Sequence, residues 1–138
     1  MNRAIGTVYR SYLGEVTRDI RKAERKRVLA AAKHVRKALG DKVNRVGVSL
    51  AGAPPGKQSG RLRKGIAYTV VDADTALVGF RAPAHHAHLL EFGTRDRIVK
   101  KTGASAGHVA ARPFFVPTLR EESPAVERIF GEPWTDYV

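Results

Sequence analysis

The stretch His85–Thr94, HHAHLLEFGT, together with Arg112–Pro117, RPFFVP, decides how this chain is read. The first combines an apolar turn of helix with one acid, an aromatic, a glycine and a threonine. The second brackets an aromatic pair between two prolines. Leu89, Leu90 and Phe92 are expected to seat a short helix on a sheet, Gly93 to permit a sharp exit, and Thr94 to bond local backbone. Pro113 and Pro117 stiffen a re-entry that returns Phe114 and Phe115 to the core. Residues 95–111 then form a flap of about 17 residues, a length that is uncommon without a task of its own. Nothing in this arrangement supplies enzyme chemistry.

Upstream, Ile66–Val71 and Thr75–Phe80 have strand propensity and flank the turn residues Asp72–Asp74, which predicts a β-hairpin. Pro83 ends its second strand, and Ala84–Phe92 carries the short helix. Ser59 is placed to cap a single turn over Gly60–Lys64, and Arg95–Val99 is a candidate third strand. Residues 47–60, GVSLAGAPPGKQSG, read as a loop because four glycines and two adjacent prolines prevent a continuous helix or central strand.

The N-terminal segment is a long amphipathic helix. Tyr9, Tyr12, Val16, Ile20, Ala23, Ala31, Val35 and Ala38 recur near every 3.6 residues, and Leu13, Val28 and Leu39 widen the stripe. Gly40 is the expected stop, so a helix over Thr7–Leu39 would be roughly 50 Å long. Gly14 weakens it by about 1 kcal/mol relative to alanine. Arg18, Arg21, Lys22, Arg25, Lys26, Lys33, Arg36 and Lys37 lie mainly off the stripe and form a basic face. It is either a solvated surface or one laid against DNA or an acidic neighbour.

Beyond the flap, Thr118–Phe130 reads as a second helix with Leu119, Val126, Ile129 and Phe130 apolar and Pro124 placed to kink or interrupt it. Residues 100–111 are small, polar and without periodicity, the segment expected to be most mobile. The tail GEPWTDYV is expected to order only against a partner. The predicted architecture is a single α+β domain over residues 1–138, with both long helices packed on a small, mainly antiparallel sheet. Its parts are helix 1–40, loop 41–60, hairpin, short helix and strand 61–99, flexible loop 100–111, and re-entry with C-terminal helix and tail 112–138.

The formal charge is +12, unevenly placed. Residues 1–50 hold 13 Lys/Arg against 4 Asp/Glu, whereas residues 121–138 hold 1 against 5. That balance allows a nucleic-acid partner, an acidic protein, or head-to-tail self-association of basic and acidic ends. The chain has no cysteine, which removes disulfides and thiolate metal sites and suits a reducing compartment. No apolar run approaches the roughly 20 residues that span a bilayer, and no signal-peptide core is present, so a soluble, unsecreted protein with no membrane partner is expected.

Phosphate loops, nucleophile elbows and paired zinc histidines are missing from the sequence. His85, His86 and His88 are the one cluster with metal-ligating side chains. Neighbouring and i,i+2 histidines on a helix diverge, so a site would need His108 or Glu91 as well. Half-exposed packing histidines are the preferred reading. No catalytic, cofactor-binding or metal residue is assigned, and a hydrolase using these histidines ranks last.

The order of motifs resembles the small neck or tail-component family of long-tailed double-stranded DNA phages, the HK-type siphophage tail-component-like proteins. The residues that carry the resemblance are Ala53-Pro54-Pro55, Ser59-Gly60-Arg61-Leu62-Arg63, the His86–Thr94 run and Ala111–Pro117. Over about residues 20–130 they follow A-P-x-x-[ST]-G-x-L-[RK], Y-A-x-x-[VL]-E-[FY]-G-T and [AR]-x-P-F-[FLM]-x-P. His86 stands where the family has tyrosine, and the loop between Pro54 and Ser59 is longer than in the shortest family form.

The resemblance implies a structural virion protein of a phage, prophage or phage-derived particle, made in the bacterial host cytoplasm. It would form a ring, a hexamer by family analogy, at the head–tail junction or tail end, completing or connecting the tail. Implied partners are further copies of the chain, connector or stopper proteins, tail-tube or tail-terminator proteins, and genomic DNA in the lumen. The expected contact residues are the flap and its flanks: Glu91, Phe92, Gly93, Thr94, Arg95, Arg97, Lys100, Lys101, Arg112, Phe114 and Phe115. The alternative is a nonspecific DNA-binding protein acting through the basic helix.

Overall fold

The structure, a computed structural model, describes residues 12–57 and 59–131. In chain order the elements are α1 (Leu13–Lys42), α2 (Arg61–Gly65), β1 (Ile66–Val70), β2 (Ala76–Phe80), α3 (Ala87–Phe92) and α4 (Phe115–Gly131). The fold is α+β. Strands β1 and β2 pair antiparallel, with Ile66 opposite Phe80 and Val70 opposite Ala76, and α1 packs on both strands and on α4. The predicted helix residues Thr7–Ser11, including Tyr9, and the tail 132–138 with Trp134 lie outside the described residues.

The core forms where the three layers meet, around Val35, Leu39, Val43, Ile66, Ala87 and Phe114. Phe80 meets both members of the proline-bracketed pair, its ring centroid 5.6 Å from Phe114 and 5.5 Å from Phe115. Phe114 is 1% exposed, so the re-entry predicted from the two prolines carries a core aromatic. Phe114→Ala should therefore cost about 3–5 kcal/mol. Urea unfolding would show this as a lower midpoint at unchanged slope.

Several expectations need correction. Helix α1 does not stop at Gly40 but continues to Lys42. Gly40 is buried within the helix, and an added Cβ would meet the Arg63 side chain at an ordinary contact distance of 3.6 Å, so glycine here neither ends the helix nor is demanded by its neighbours. The apolar stripe is also packed over only part of its length. Leu13, Val16 and Ile20 are 76%, 52% and 43% exposed, because the partners of α1 cover it only from Ala23 onward.

Pro124 does not interrupt α4, which runs unbroken over 17 residues. Helix α3 presents Ala87, Leu90 and Glu91 inward, one face at i, i+3 and i+4. Leu89 and Phe92, expected to be buried, point out, with Phe92 76% exposed. Finally, Arg95–Val99 is not a strand of the sheet. It pairs instead with the far limb of its own flap through the bridge between Ile98 and Ser105.

Candidate functional site

The two signature stretches meet at one carboxylate. Glu91 is 8% exposed, and its Oε2 accepts the backbone N–H groups of Phe114 at 2.8 Å and Phe115 at 2.9 Å. Its Oε1 accepts that of Val116 at 3.1 Å. These are N–H groups that the start of a helix leaves without an intrahelical partner, and a negative charge there also opposes the positive end of the helix dipole. Glu91 therefore ties α3 to the start of α4 across a sequence separation of 23. Thr118 completes the turn, its hydroxyl donating to the Phe114 carbonyl at 2.5 Å.

Next to it, Gly93 has φ +72° and ψ −177°, a backbone shape open to glycine and costly for other residues. An added Cβ would stand 2.8 Å from the Val109 carbonyl oxygen and 2.9 Å from the Ala111 nitrogen. Thr94 then clasps the returning limb twice: its N–H donates to the Val109 carbonyl, and its hydroxyl accepts the Val109 N–H, both at 2.9 Å. The Arg112 N–H donates to the Leu90 carbonyl at 2.7 Å. Both ends of the flap are thus fixed to α3 by backbone bonds.

Beyond that clasp, the flap is a self-paired ribbon. Arg97 exchanges bonds with Gly107 and Ala106, and Val99 donates to Ala104. Every residue from Arg95 to His108 is exposed, including Arg95, Arg97, Lys100 and Lys101, and Ile98 carries its apolar side chain outward. The segment expected to be most mobile is thus bonded to the opposite limb of its own ribbon.

Among the residues expected to make contacts, the structure brings two groups apart. Phe92, Arg95, Arg97, Lys100 and Lys101 share one exposed rim and ribbon. Glu91, Gly93, Thr94, Arg112, Phe114 and Phe115 form or border the clasp beneath it, with Glu91 and Phe114 buried.

All eight residues of the predicted basic face are exposed. At about 100° per residue they fall within one half of the circumference of α1. Arg36 is partly engaged, its Nε donating to the Ile66 carbonyl at 3.1 Å, and Lys37 pairs with Asp41 at 3.1 Å. At the other side of α1, His34 and Glu122 are joined at 2.6 Å and Lys42 and Glu121 at 2.5 Å, which ties the second turn of α4 to the last turns of α1.

The remaining motif residues have local tasks. Gly60 adopts a left-handed conformation before α2, the Ser59 hydroxyl accepts the Arg61 N–H at 3.4 Å, and Leu62 packs on the core. Gly65 faces Ala84 so closely that a Cβ would overlap it, a constraint that the sequence pattern did not reveal. Gly65→Ala is expected to lower the thermal midpoint by several degrees, because overpacking at such a site costs about 1–3 kcal/mol. His85 and His86 meet edge to face at 6.0 Å. Among the described residues no three His, Cys, Asp or Glu side chains gather in a metal-holding group.

Comparison with known proteins gives one match. A family model, HK97-gp10_like, described as "Bacteriophage HK97-gp10, putative tail-component", matches residues 9–93, more than half of the chain. It covers α1 through the Glu91–Gly93 turn and stops before the flap. No curated protein and no solved structure matches.

Proposed function

Because the chain belongs to the HK97-gp10-like family of phage tail components, we propose that it assembles as a ring at the head–tail junction or the upper end of the tail, with its flap as a contact to the neighbouring ring. The observation that carries this reading is the contrast between the flap and its base. An exposed ribbon, Arg95–His108, stands on a clasp in which Glu91, Gly93 and Thr94 leave little freedom at either end. Fixing both ends lowers the ordering entropy that a contact must overcome, which favours a presented ribbon as a binding element. Phe92 and Ile98 provide apolar area at its base and along its length, and Arg95, Arg97, Lys100 and Lys101 give it a positive rim suited to an acidic protein surface. Copies would meet head to tail, a heterologous arrangement that closes into a ring, with six copies by family analogy and the genome passing through the lumen.

The test is mass by light scattering over a range of protein and salt concentration, with and without a short DNA duplex. A discrete ring-sized species without DNA supports the assembly. A chain that remains monomeric alone and when mixed with the other neck and tail proteins would sink it. Shortening the flap between Val99 and Ala104 should leave the thermal midpoint of the domain within a few degrees and abolish joining to the neighbouring tail component.

A second reading is favoured by the basic half of α1, whose eight exposed cations could follow a phosphate backbone. If they do, DNA affinity should fall about 10³- to 10⁵-fold between 50 and 200 mM salt. Salt-insensitive binding, or none, leaves that face to a protein partner.

A further inference from the structure

Two surfaces outside the flap are each incomplete, and they fit one another. The first is a prong in the loop after α1, where Val46, Val48 and Leu50 alternate along the chain and are 91%, 97% and 75% exposed. Three large aliphatic side chains held in water at alternate positions are unusual on a small domain. The prong is held out by its base: Arg45 accepts the Lys57 N–H at 2.7 Å, and the Ser49 hydroxyl donates to the Pro54 carbonyl at 2.6 Å.

The second surface lies beside β2. That strand pairs only with β1 among the described residues, so its other edge presents unpaired backbone groups. Along that edge runs an apolar groove of about 290 Å³ between α1, β2 and the end of α4, lined by Val28, Ala32, Ala76, Val78, Val126 and Phe130. Asp74 stands at the groove's end, next to the exposed Asp72.

We propose that the prong of one copy enters the β2-side groove of the next, so that Val46, Val48 and Leu50 fill it and Arg45 meets Asp74. Charge sets the direction. A prong laid parallel to β2 puts Arg45 beside Asp74, whereas the antiparallel alternative sets Arg45 beside Arg81. Gly47 bends the free prong, with φ +122°, and straightening there on docking gives Val46, Val48 and Leu50 the period of two that Ala76, Val78 and Phe80 of β2 already have. This is strand addition to an open edge, in which main-chain bonds give affinity and alternate side chains give specificity. Prong and groove are different patches of one chain, so the contact repeats head to tail. The inference rests on the ring reading and supplies its lateral joint, leaving the flap for the neighbouring ring.

The absence of native cysteine makes the contact directly testable by crosslinking in the full chain. Chains carrying Val46→Cys, mixed with chains carrying Ala76→Cys under mild oxidation, should give a mixed disulfide dimer. Val46→Cys mixed with Thr102→Cys, at the flap, should not. In parallel, Val46→Asp with Val48→Asp alters only exposed side chains and should leave the thermal midpoint unchanged while the scattering mass falls from ring to protomer. Arg45→Asp and Asp74→Arg should each weaken assembly at least tenfold in concentration, and together restore most of it.

A ring that survives the double aspartate change and gives no prong–groove disulfide overturns this contact and leaves the ring reading intact. A wild-type chain that is monomeric at every concentration, and gives no such disulfide, overturns both. Disulfide formation with Thr102→Cys as readily as with Ala76→Cys marks random collision and also overturns the contact.

Discussion

Glu91→Ala is expected to destabilise the protein by about 3–5 kcal/mol, a large part of the roughly 5–15 kcal/mol that holds a domain of this size together. The substitution leaves the Phe114, Phe115 and Val116 N–H groups without their acceptor at a site where Phe114 is buried from water. Each bond to a charged acceptor contributes about 1.5–3 kcal/mol, and the three are not additive because they share one carboxylate. Glu91→Gln separates charge from shape. It keeps an oxygen for Phe114 and Phe115 but brings an amide N–H₂ to the Val116 N–H and removes the charge facing the helix dipole, so about half the loss is expected. Urea unfolding of the two variants provides the check. A Glu91→Ala chain within 1 kcal/mol of wild type would mean that water replaces the carboxylate without penalty and that the clasp is incidental.

Gly93→Ala comes next, with an expected loss of about 3 kcal/mol or more. Two costs act together: strain at φ +72° and ψ −177°, about 1–3 kcal/mol, and overlap of the new methyl with the Val109 carbonyl and the Ala111 nitrogen. Relief requires the returning limb to move away, which breaks the paired bonds between Thr94 and Val109. The variant should therefore show a second signature that a general loss of stability would not give. Protease cleavage within residues 95–111 should accelerate under conditions where the rest of the domain stays folded. Unaltered cleavage together with a native midpoint would disprove the account of this glycine.

Much of this architecture could be read from spacing. The hairpin was legible because β-branched and aromatic runs flank Asp72–Asp74, and Ile66–Val70 and Ala76–Phe80 fall within one residue of the expected bounds. The pairing of the two signature stretches was legible as a return to the core, but not the agent of the return. An acid at the end of a short helix reads as a surface or contact residue, and only the three-dimensional approach of Phe114–Val116 makes it a cap. Helix periodicity likewise reports a face and not its partner. The stripe through Leu13, Val16 and Ile20 is as regular as that through Val28 and Val35, although α4 and the sheet reach only the latter. Gly40 looked like a stop because glycine so often stands just past a helix end, whereas here Lys37 and Asp41 join across one helical turn and the helix runs on.

The clasp at Glu91, Gly93 and Thr94 has a consequence for how such a protein can change over generations. Closing a loop whose ends are already held costs little more as the loop grows, about 0.6 kcal/mol for each doubling of its length. Insertions, deletions and charge changes between Arg95 and His108 thus leave the folding of the rest almost untouched, since no core residue lies among them. The flap is in effect a cassette that can be exchanged without disturbing the core, whereas the socket is held by chemistry that tolerates few substitutions.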